Sequence, residues 1–446
     1  PSSATVTGPI CLLTPGRNWK FLLASTSVNR SSRYSTANYL LFGLSFALVG
    51  GALIQLALVR GNSLGPSTFM PLLVLVACSS TVMVALRRLR PRLLREPLLL
   101  PLVFLLSGLG LVMISRLAPA FVTRQLLWLI LATGLLLLVA LVPRNLNWLY
   151  RYKYTWLIGG LILLASTLIF GVNPSGFGAR LWLQVGTIFF QPSELLKLLV
   201  VVFLAAYLSD RRHYLKNARA YLGPVPIPHP AYLGPMLLMW GFSMVLIIWQ
   251  RDLGAALLFF GTFLGMLYAA TGQARYLWAG GGLLALAGVI GYALFDVVRL
   301  RVDGFLNPLI DPSGRSFQII QSLFAFASGG IFGEGLGQGL PTAIPVVHTD
   351  FVFAAIAEEY GLLGGFGIVL LFALLIGRTF HIGLRAASDF EQLLAAGIGT
   401  MIGLQTIVIM GGSLKLLPLT GVTLPLVSYG GTSMVTLMAG FGILMS

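Results

Sequence analysis

Charge is what this chain has least of. Asp, Glu, Lys and Arg together make up 9% of its 446 residues, whereas a soluble domain carries roughly 25% to coat its surface. Acid is the scarcer sign, with 13 Asp and Glu against 29 Lys and Arg. Two cysteines, Cys11 and Cys78, are too few for a disulfide framework or a thiolate metal cluster. Residues 1–37 are rich in Ser and Thr and lack the long apolar core of a signal peptide, so they read as a cytoplasmic lead-in. These shortages exclude a disulfide scaffold, a disordered tail and a soluble enzyme.

What the chain has in excess is apolar. Hydrophobic residues make up 57% of it, and its 52 glycines suit close packing between membrane helices. A helix needs about 20 mostly apolar residues to cross a bilayer. Twelve runs qualify as candidates: 39–59, 69–86, 98–115, 124–142, 154–172, 194–208, 233–250, 253–272, 276–296, 351–377, 392–413 and 432–446. The expectation is an all-α, polytopic integral membrane protein with about 12 transmembrane helices. The run 194–208 is short. The run 253–272 follows its predecessor after almost no loop, so a tight re-entrant or broken hairpin is expected around Gln250–Gly254. No internal repeat is evident, which counts against an inverted-repeat transporter.

A net charge of +16 would suggest nucleic acid in a soluble protein. Here the basic residues gather in alternate loops. With a cytoplasmic N-terminus, inside loops hold 19 Lys and Arg and outside segments hold nine, which the positive-inside rule reads as both termini cytoplasmic. No nucleic-acid partner is expected; the basic loops suit anionic membrane lipid.

This orientation puts the longest loop, 297–350, outside. It carries Asp303, Asp311, Arg315, Glu334, His348 and Asp350, and its apolar segment Phe317–Ile331 reads as a short amphipathic helix lying on the membrane surface. Its GGIFGEGLGQG stretch is not followed by Lys-Ser/Thr, so tight turns and close loop packing explain the glycines better than a nucleotide cradle does.

Ionisable residues at membrane depth are functional candidates by default. Glu194 and Lys197 share a helical face and can pair, either to orient the helix or with Lys197 turned to an anionic headgroup. Glu358 and Glu359 are expected to satisfy backbone or hydroxyl partners inside the bundle. Asp350 stands where the long loop meets a helix. There it serves either as an N-cap or as a carboxylate placed to take a proton from a sugar hydroxyl. His348 is either its partner or a surface residue, and spacing does not decide between them.

A series of blocks in order then carries a resemblance. Gly178-Ala179-Arg180-Leu181-Trp182 is followed by Gln191-Pro192-Ser193-Glu194, then by Gln250-Arg251-Asp252-Leu253-Gly254. Next come the run Gln321 to Gln338, His348-Thr349-Asp350-Phe351 and Ala357-Glu358-Glu359-Tyr360-Gly361, and finally Leu417 through Gly431. Over about residues 98–446 the chain resembles the SEDS family (shape, elongation, division and sporulation), which contains RodA, FtsW and SpoVE. The resemblance implies a ten-helix core at 98–446, here preceded by two extra spans within 38–97. It implies a peptidoglycan glycosyltransferase that polymerises lipid II at the outer face of the cytoplasmic membrane of a bacterium. The implied partner is a class B penicillin-binding protein, a transpeptidase. The family's essential aspartate carries over to Asp350, and its paired acid and lysine to Glu194 and Lys197. The chain departs from the pattern at Arg251, where Pro is usual, and at Leu181, which replaces a second Arg.

The mechanism expected on this basis has Asp350 as general base, with undecaprenyl pyrophosphate leaving. Arg180, Lys197 and Lys415 are the candidate cations for the pyrophosphate, and Asp252 and His348 are further candidate substrate contacts. A divalent cation, Mg2+ or Mn2+, could share the role of the fixed cations, although no compact ligand motif is visible. Two other readings stay open. A lipid II transporter or flippase would use Glu358 and Glu359 as an inward polar path. A non-catalytic scaffold for the transpeptidase would not need Asp350.

Overall fold

The computed structural model describes residues 19–61, 64–142, 145–173, 179–186, 188–217, 220–222, 225–227, 230–312, 314 and 316–446. Residues 1–18 of the lead-in, with Cys11, and the motif residue Gly178 and loop residue Arg315 lie outside them. The chain is almost wholly helical. The first half comprises α1 (Trp19–Val59), α2 (Pro66–Leu89), α3 (Leu99–Leu117), α4 (Val122–Leu141), α5 (Asn147–Arg151), α6 (Lys153–Phe170) and α7 (Pro192–Asn217). The second half comprises α8 (Pro230–Trp249), α9 (Leu253–Thr271), α10 (Arg275–Leu294), α11 (Asp296–Leu306), α12 (Phe317–Gly329), α13 (Val347–Asp350), α14 (Val352–Arg385), α15 (Asp389–Ser413) and α16 (Gly431–Met445). Two small antiparallel hairpins interrupt them: β1 (Leu183–Val185) with β2 (Ile188–Phe190), and β3 (Ala220–Leu222) with β4 (Val225–Ile227).

Ten of these helices are long and apolar enough to cross a membrane, and shorter apolar helices at Gly234–Trp249 and Gly431–Met445 match the two remaining expected spans. The chain is a multi-pass membrane protein. A helix is the natural solution there, because every interior backbone group bonds within its own segment. Proline opens α2 and α7, where a missing N–H costs nothing. Ser388 caps α15 by accepting from the Glu391 N–H at 3.2 Å.

Two boundaries differ from the sequence expectation. The short run at 194–208 belongs to a 26-residue helix, α7, which continues past its apolar part through Asp210, Arg211 and Arg212. The charged end is held by partners: Asp210 accepts from Tyr150 and Lys153, and Arg212 pairs with Asp389. Second, the helix of the first span begins at Trp19, inside the expected lead-in.

The most deeply enclosed spans are α3, α7 and α15, with 78%, 83% and 78% of their apolar windows buried. At the other extreme, α10 has only 11% buried and stands at the bundle's edge against α9 and α11. Alternating crossings bring the segments after α1, α3, α6, α8, α10 and α15 to one end. The expected surface helix at 317–331 is present as α12, with Ile319, Ile320, Ser322 and Ala325 turned inward.

At the same end α14 is broken. Gly361 has φ 67 and ψ −168, which divides the helix into a short piece, 352–360, and a long one. A side chain there would stand 2.3 Å from the Ile331 carbonyl, and one on Gly333 would stand 2.3 Å from the Glu359 carbonyl, so only glycine fits both strands of this contact. The break frees the carbonyls of Glu358 and Glu359, which accept from the N–H groups of Glu334 and Gly335 at 2.9 and 3.0 Å. The Gly-rich stretch is thus a backbone wrap around a helix break, as the packing reading of its glycines expected.

Candidate functional site

The turn between α8 and α9 is three residues long and sets one wall of the site. Arg251 takes a left-handed φ of 60 there, and the Gln250 side chain donates to the Leu164 carbonyl and the Thr167 hydroxyl at 3.0 and 2.8 Å. This fixes Asp252 at the start of α9, where its Oδ1 accepts from the Ala255 N–H at 3.0 Å and its Oδ2 from Ser193 Oγ at 3.4 Å. Burial pushes the Asp252 carboxyl above its ordinary value, against the pull of the Ala255 N–H and the Lys197 charge.

Behind Asp252 lies the expected pair. Lys197 Nζ donates to Glu194 Oε1 at 2.8 Å and also to Gln405 Oε1 at 3.1 Å, and the Gln405 amide donates on to the Thr423 carbonyl at 2.7 Å. Lys197 is 5% exposed. The lysine is therefore fully engaged inside the bundle, and it ties α7 to α15 and to the loop 414–430.

Asp350 forms the opposite wall. The structure does not use it as a helix cap: Phe351 holds that position on α14, without a side-chain bond. Its carboxyl looks instead toward the Gly421 turn, where an ideal Cβ would stand 3.9 Å from Asp350 Oδ2 and 3.9 Å from Arg301 Nη2. Gly421 has φ +71, so it supplies both the turn and the space. Burial raises the Asp350 carboxyl to about 6, although Thr349 and Arg301 favour its charged form. A base is most effective with its pKa near the working pH.

Arg301, on α11, is the functional residue that sequence reading missed. It donates from Nη1 to the Thr420 carbonyl at 3.1 Å, and its charge acts on both Asp252 and Asp350. Its neighbour in sequence, Arg299, points away and pairs loosely with the exposed Asp296 at 3.9 Å. The two arginines stand two apart on a helix and so face different sides. That spacing was the only signal available.

The other expected residues are dispersed. The His348 ring is stacked on Phe121 at 5.3 Å and lies 5.9 Å from Tyr429, while its carbonyl accepts from the Tyr429 N–H at 2.9 Å. Burial lowers its pKa and so disfavours the charged ring. It is part of an aromatic wall. Arg180 is exposed in the stretch before β1. Lys415 follows α15 with a left-handed φ of 55 and is half-buried. Glu358 finds a backbone partner as expected, the Leu340 N–H at 2.7 Å, whereas Glu359 departs from the expectation of backbone or hydroxyl partners in pairing with a charged one, Arg116 Nε at 2.7 Å. Among the described residues no three His, Cys, Asp or Glu side chains group to hold a metal ion.

The fold and site together describe an all-helical, multi-pass membrane protein with carboxylates and one arginine recessed at one end of its bundle. The family described as a cell cycle protein family, comprising FtsW, RodA and SpoVE, matches residues 87–446, and the chain belongs to it. It is 38% identical over 361 residues to peptidoglycan glycosyltransferase RodA of Mycobacterium tuberculosis (strain H37Rv), covering 78% of this chain and 76% of that protein. It is 37% identical over 336 residues to stage V sporulation protein E of Bacillus subtilis, covering 73% and 86%. Among solved structures it is similar to a chain of a peptidoglycan synthase complex, with TM-score 0.65, 33% identity and 78% and 95% of the two chains covered. It is also similar to the rod shape determining protein RodA of Thermus thermophilus, with TM-score 0.57, 30% identity and 78% and 94% covered.

Proposed function

We propose that this chain polymerises lipid II into glycan strands at the outer face of the bacterial cytoplasmic membrane, with both termini in the cytoplasm. Its relatives carry the name peptidoglycan glycosyltransferase, and the chain is an enzyme of that class. The observation that carries the finer reading is the position of Asp350, half-buried, its pKa raised to about 6, and bordering with Arg301 the space above Gly421.

In this reading Asp350 accepts the proton from a sugar hydroxyl of the acceptor lipid. The freed oxygen attacks the anomeric carbon of the donor, and the bond from that carbon to the pyrophosphate breaks. Undecaprenyl pyrophosphate leaves and Asp350 releases its proton to solvent. The leaving group concentrates negative charge, which fixed cations stabilise. Arg301 is best placed for this role, since its fork of donors suits phosphate oxygens. Arg180, Lys415 and Lys197 remain candidate contacts for the rest of the substrate, as do Glu194, Asp252 and His348, with Lys197 the least free of them. A Mg2+ or Mn2+ ion would add positive charge at the pyrophosphate. Asp252 is the carboxylate present that suits it, because such ions are held by one or two carboxylates plus substrate phosphates.

The similarity to a chain of a peptidoglycan synthase complex supports a class B penicillin-binding protein as partner. The test is glycan formation from purified lipid II in liposomes holding the chain and its transpeptidase. Polymer together with released undecaprenyl pyrophosphate is expected. Lipid II crossing the bilayer without polymer would contradict the reading and point to transport.

A further inference from the structure

The first helix ahead of the family-matched segment, α1, reaches the site's supporting loop. Arg60, the residue after α1, donates from Nη2 to the Arg116 carbonyl at 2.8 Å. Arg116, at the end of α3, donates in turn from Nε to Glu359 Oε1 at 2.7 Å and from Nη2 to the Gly339 carbonyl at 2.8 Å. Beside this relay, the last turn of α1 touches the same loop: a Cβ on Gly337 would stand 3.2 Å from Val59 Cγ1, 3.6 Å from Val59 Cβ and 3.4 Å from Leu56 Cδ1. Leu336, next to it, is 1% exposed.

The loop so held is the wrap around the break in α14. Its N–H groups at Glu334, Gly335 and Leu340 bond the two carbonyls and one carboxylate of Glu358 and Glu359. Those residues lie on the short piece 352–360, which begins two residues after Asp350. An unbroken path of contacts therefore runs from α1, through Arg116 and the loop 329–340, to the backbone that carries the proposed base. Residues 19–60 stand outside the family match, which begins at 87. They supply a brace that the family core itself does not contain.

We infer that α1, the first of the two added N-terminal helices, holds the outer loop and the start of α14 in register, and that Arg60 is a positioning residue for Asp350. It acts through Arg116 and touches no substrate. The rate measurements below rest on the glycosyltransferase reading, whereas the exchange measurement rests on the contacts alone.

The experiment uses the full chain with its transpeptidase. Arg60→Ala should lower kcat for lipid II polymerisation by about tenfold, the scale of a small misplacement of a reacting group, and leave KM unchanged. Arg60→Lys keeps a donor and should recover most of the rate. Amide exchange at Glu334 and Gly335 should quicken in Arg60→Ala. The brace can also be rebuilt covalently by adding Val59→Cys and Gly337→Cys to Arg60→Ala, since 3.6 Å between their Cβ positions lies within disulfide range. Cysteine at Gly337 carries its own strain at φ +87, so the oxidised protein is compared with the same protein reduced. Oxidation should restore kcat and slow the exchange. A wild-type kcat and exchange rate in Arg60→Ala would overturn the inference. So would a change confined to KM, failure of the cysteines to join, or a joined protein no faster than its reduced form. If the wild type itself makes no polymer, the glycosyltransferase reading falls, and the exchange rates alone still decide the brace.

Discussion

Arg301 and Asp350 both border the space above Gly421 without closing into an ion pair: a methyl group on Gly421 would lie 3.9 Å from Nη2 of one and 3.9 Å from Oδ2 of the other. The arginine is instead anchored to the Thr420 carbonyl at 3.1 Å. In the proposed mechanism the space above Gly421, which both side chains border, takes the reacting group.

Filling that room should be costly. Gly421→Ala places a methyl group 3.9 Å from each of the two side chains and forces alanine to a φ of +71, a strain of about 1–2 kcal/mol. The expected outcome is a protein that purifies with a modestly lower melting temperature but polymerises lipid II at least tenfold more slowly. A variant with wild-type rate would mean that the space over Gly421 is not used.

The pH dependence follows from the Asp350 carboxyl, which burial raises to about 6. A general base works as the carboxylate, so the rate should fall as pH falls through about 6 and level off above it. Arg301 favours the charged form; removing it as Arg301→Ala should move the midpoint to higher pH as well as slow the reaction. His348 packs against Phe121 and Tyr429 and is not given the role of base, so His348→Phe should leave the midpoint in place. A pH–rate profile of the three proteins checks each sign.

Lys197 and Glu194 form a buried pair at 2.8 Å. Removing one partner of such a pair leaves an uncompensated charge, at a cost of roughly 3–5 kcal/mol. Lys197→Met alone should therefore destabilise the protein more than Lys197→Met combined with Glu194→Gln. Thermal unfolding in detergent gives the comparison, and equal losses in the single and double variants would show the pair to be uncoupled.

The break in α14 makes a separate prediction. Gly361→Ala must place alanine at φ 67 and push against the Ile331 carbonyl. Strain of this kind costs about 1–3 kcal/mol, and the loop 329–340 should become the first segment cut in limited proteolysis.

The crossings were legible because about 20 apolar residues leave a helix few alternatives in a membrane. The extent of α7 was not, since its charged end is held by Tyr150, Lys153 and Asp389 from distant segments rather than by apolarity. Asp350 and the Glu194–Lys197 pair could be singled out because each breaks an apolar pattern or sits at its edge, whereas Asp252 came only with the resemblance of the Gln250–Gly254 block. Asp350 as a helix cap was an equally good reading of the same spacing, and only the fold assigns that place to Phe351. Arg301 was hidden for a different reason. Its partner at Thr420 is 119 residues away, and nothing in the α11 sequence says which of its arginines will face the site. The loop glycines could be read as packing glycines, but that they wrap a helix break at Gly361 required the fold.

The central claim, that Asp350 is the base, is tested most directly by polymerisation of purified lipid II with wild type and Asp350→Asn, each bound to its transpeptidase and shown to be equally folded. Asparagine keeps the shape but has no carboxylate to accept a proton. Polymer from the wild type and a loss of about a hundredfold or more in the variant are predicted. Equal polymer from both would contradict the assignment and shift the role to Asp252 or Glu194.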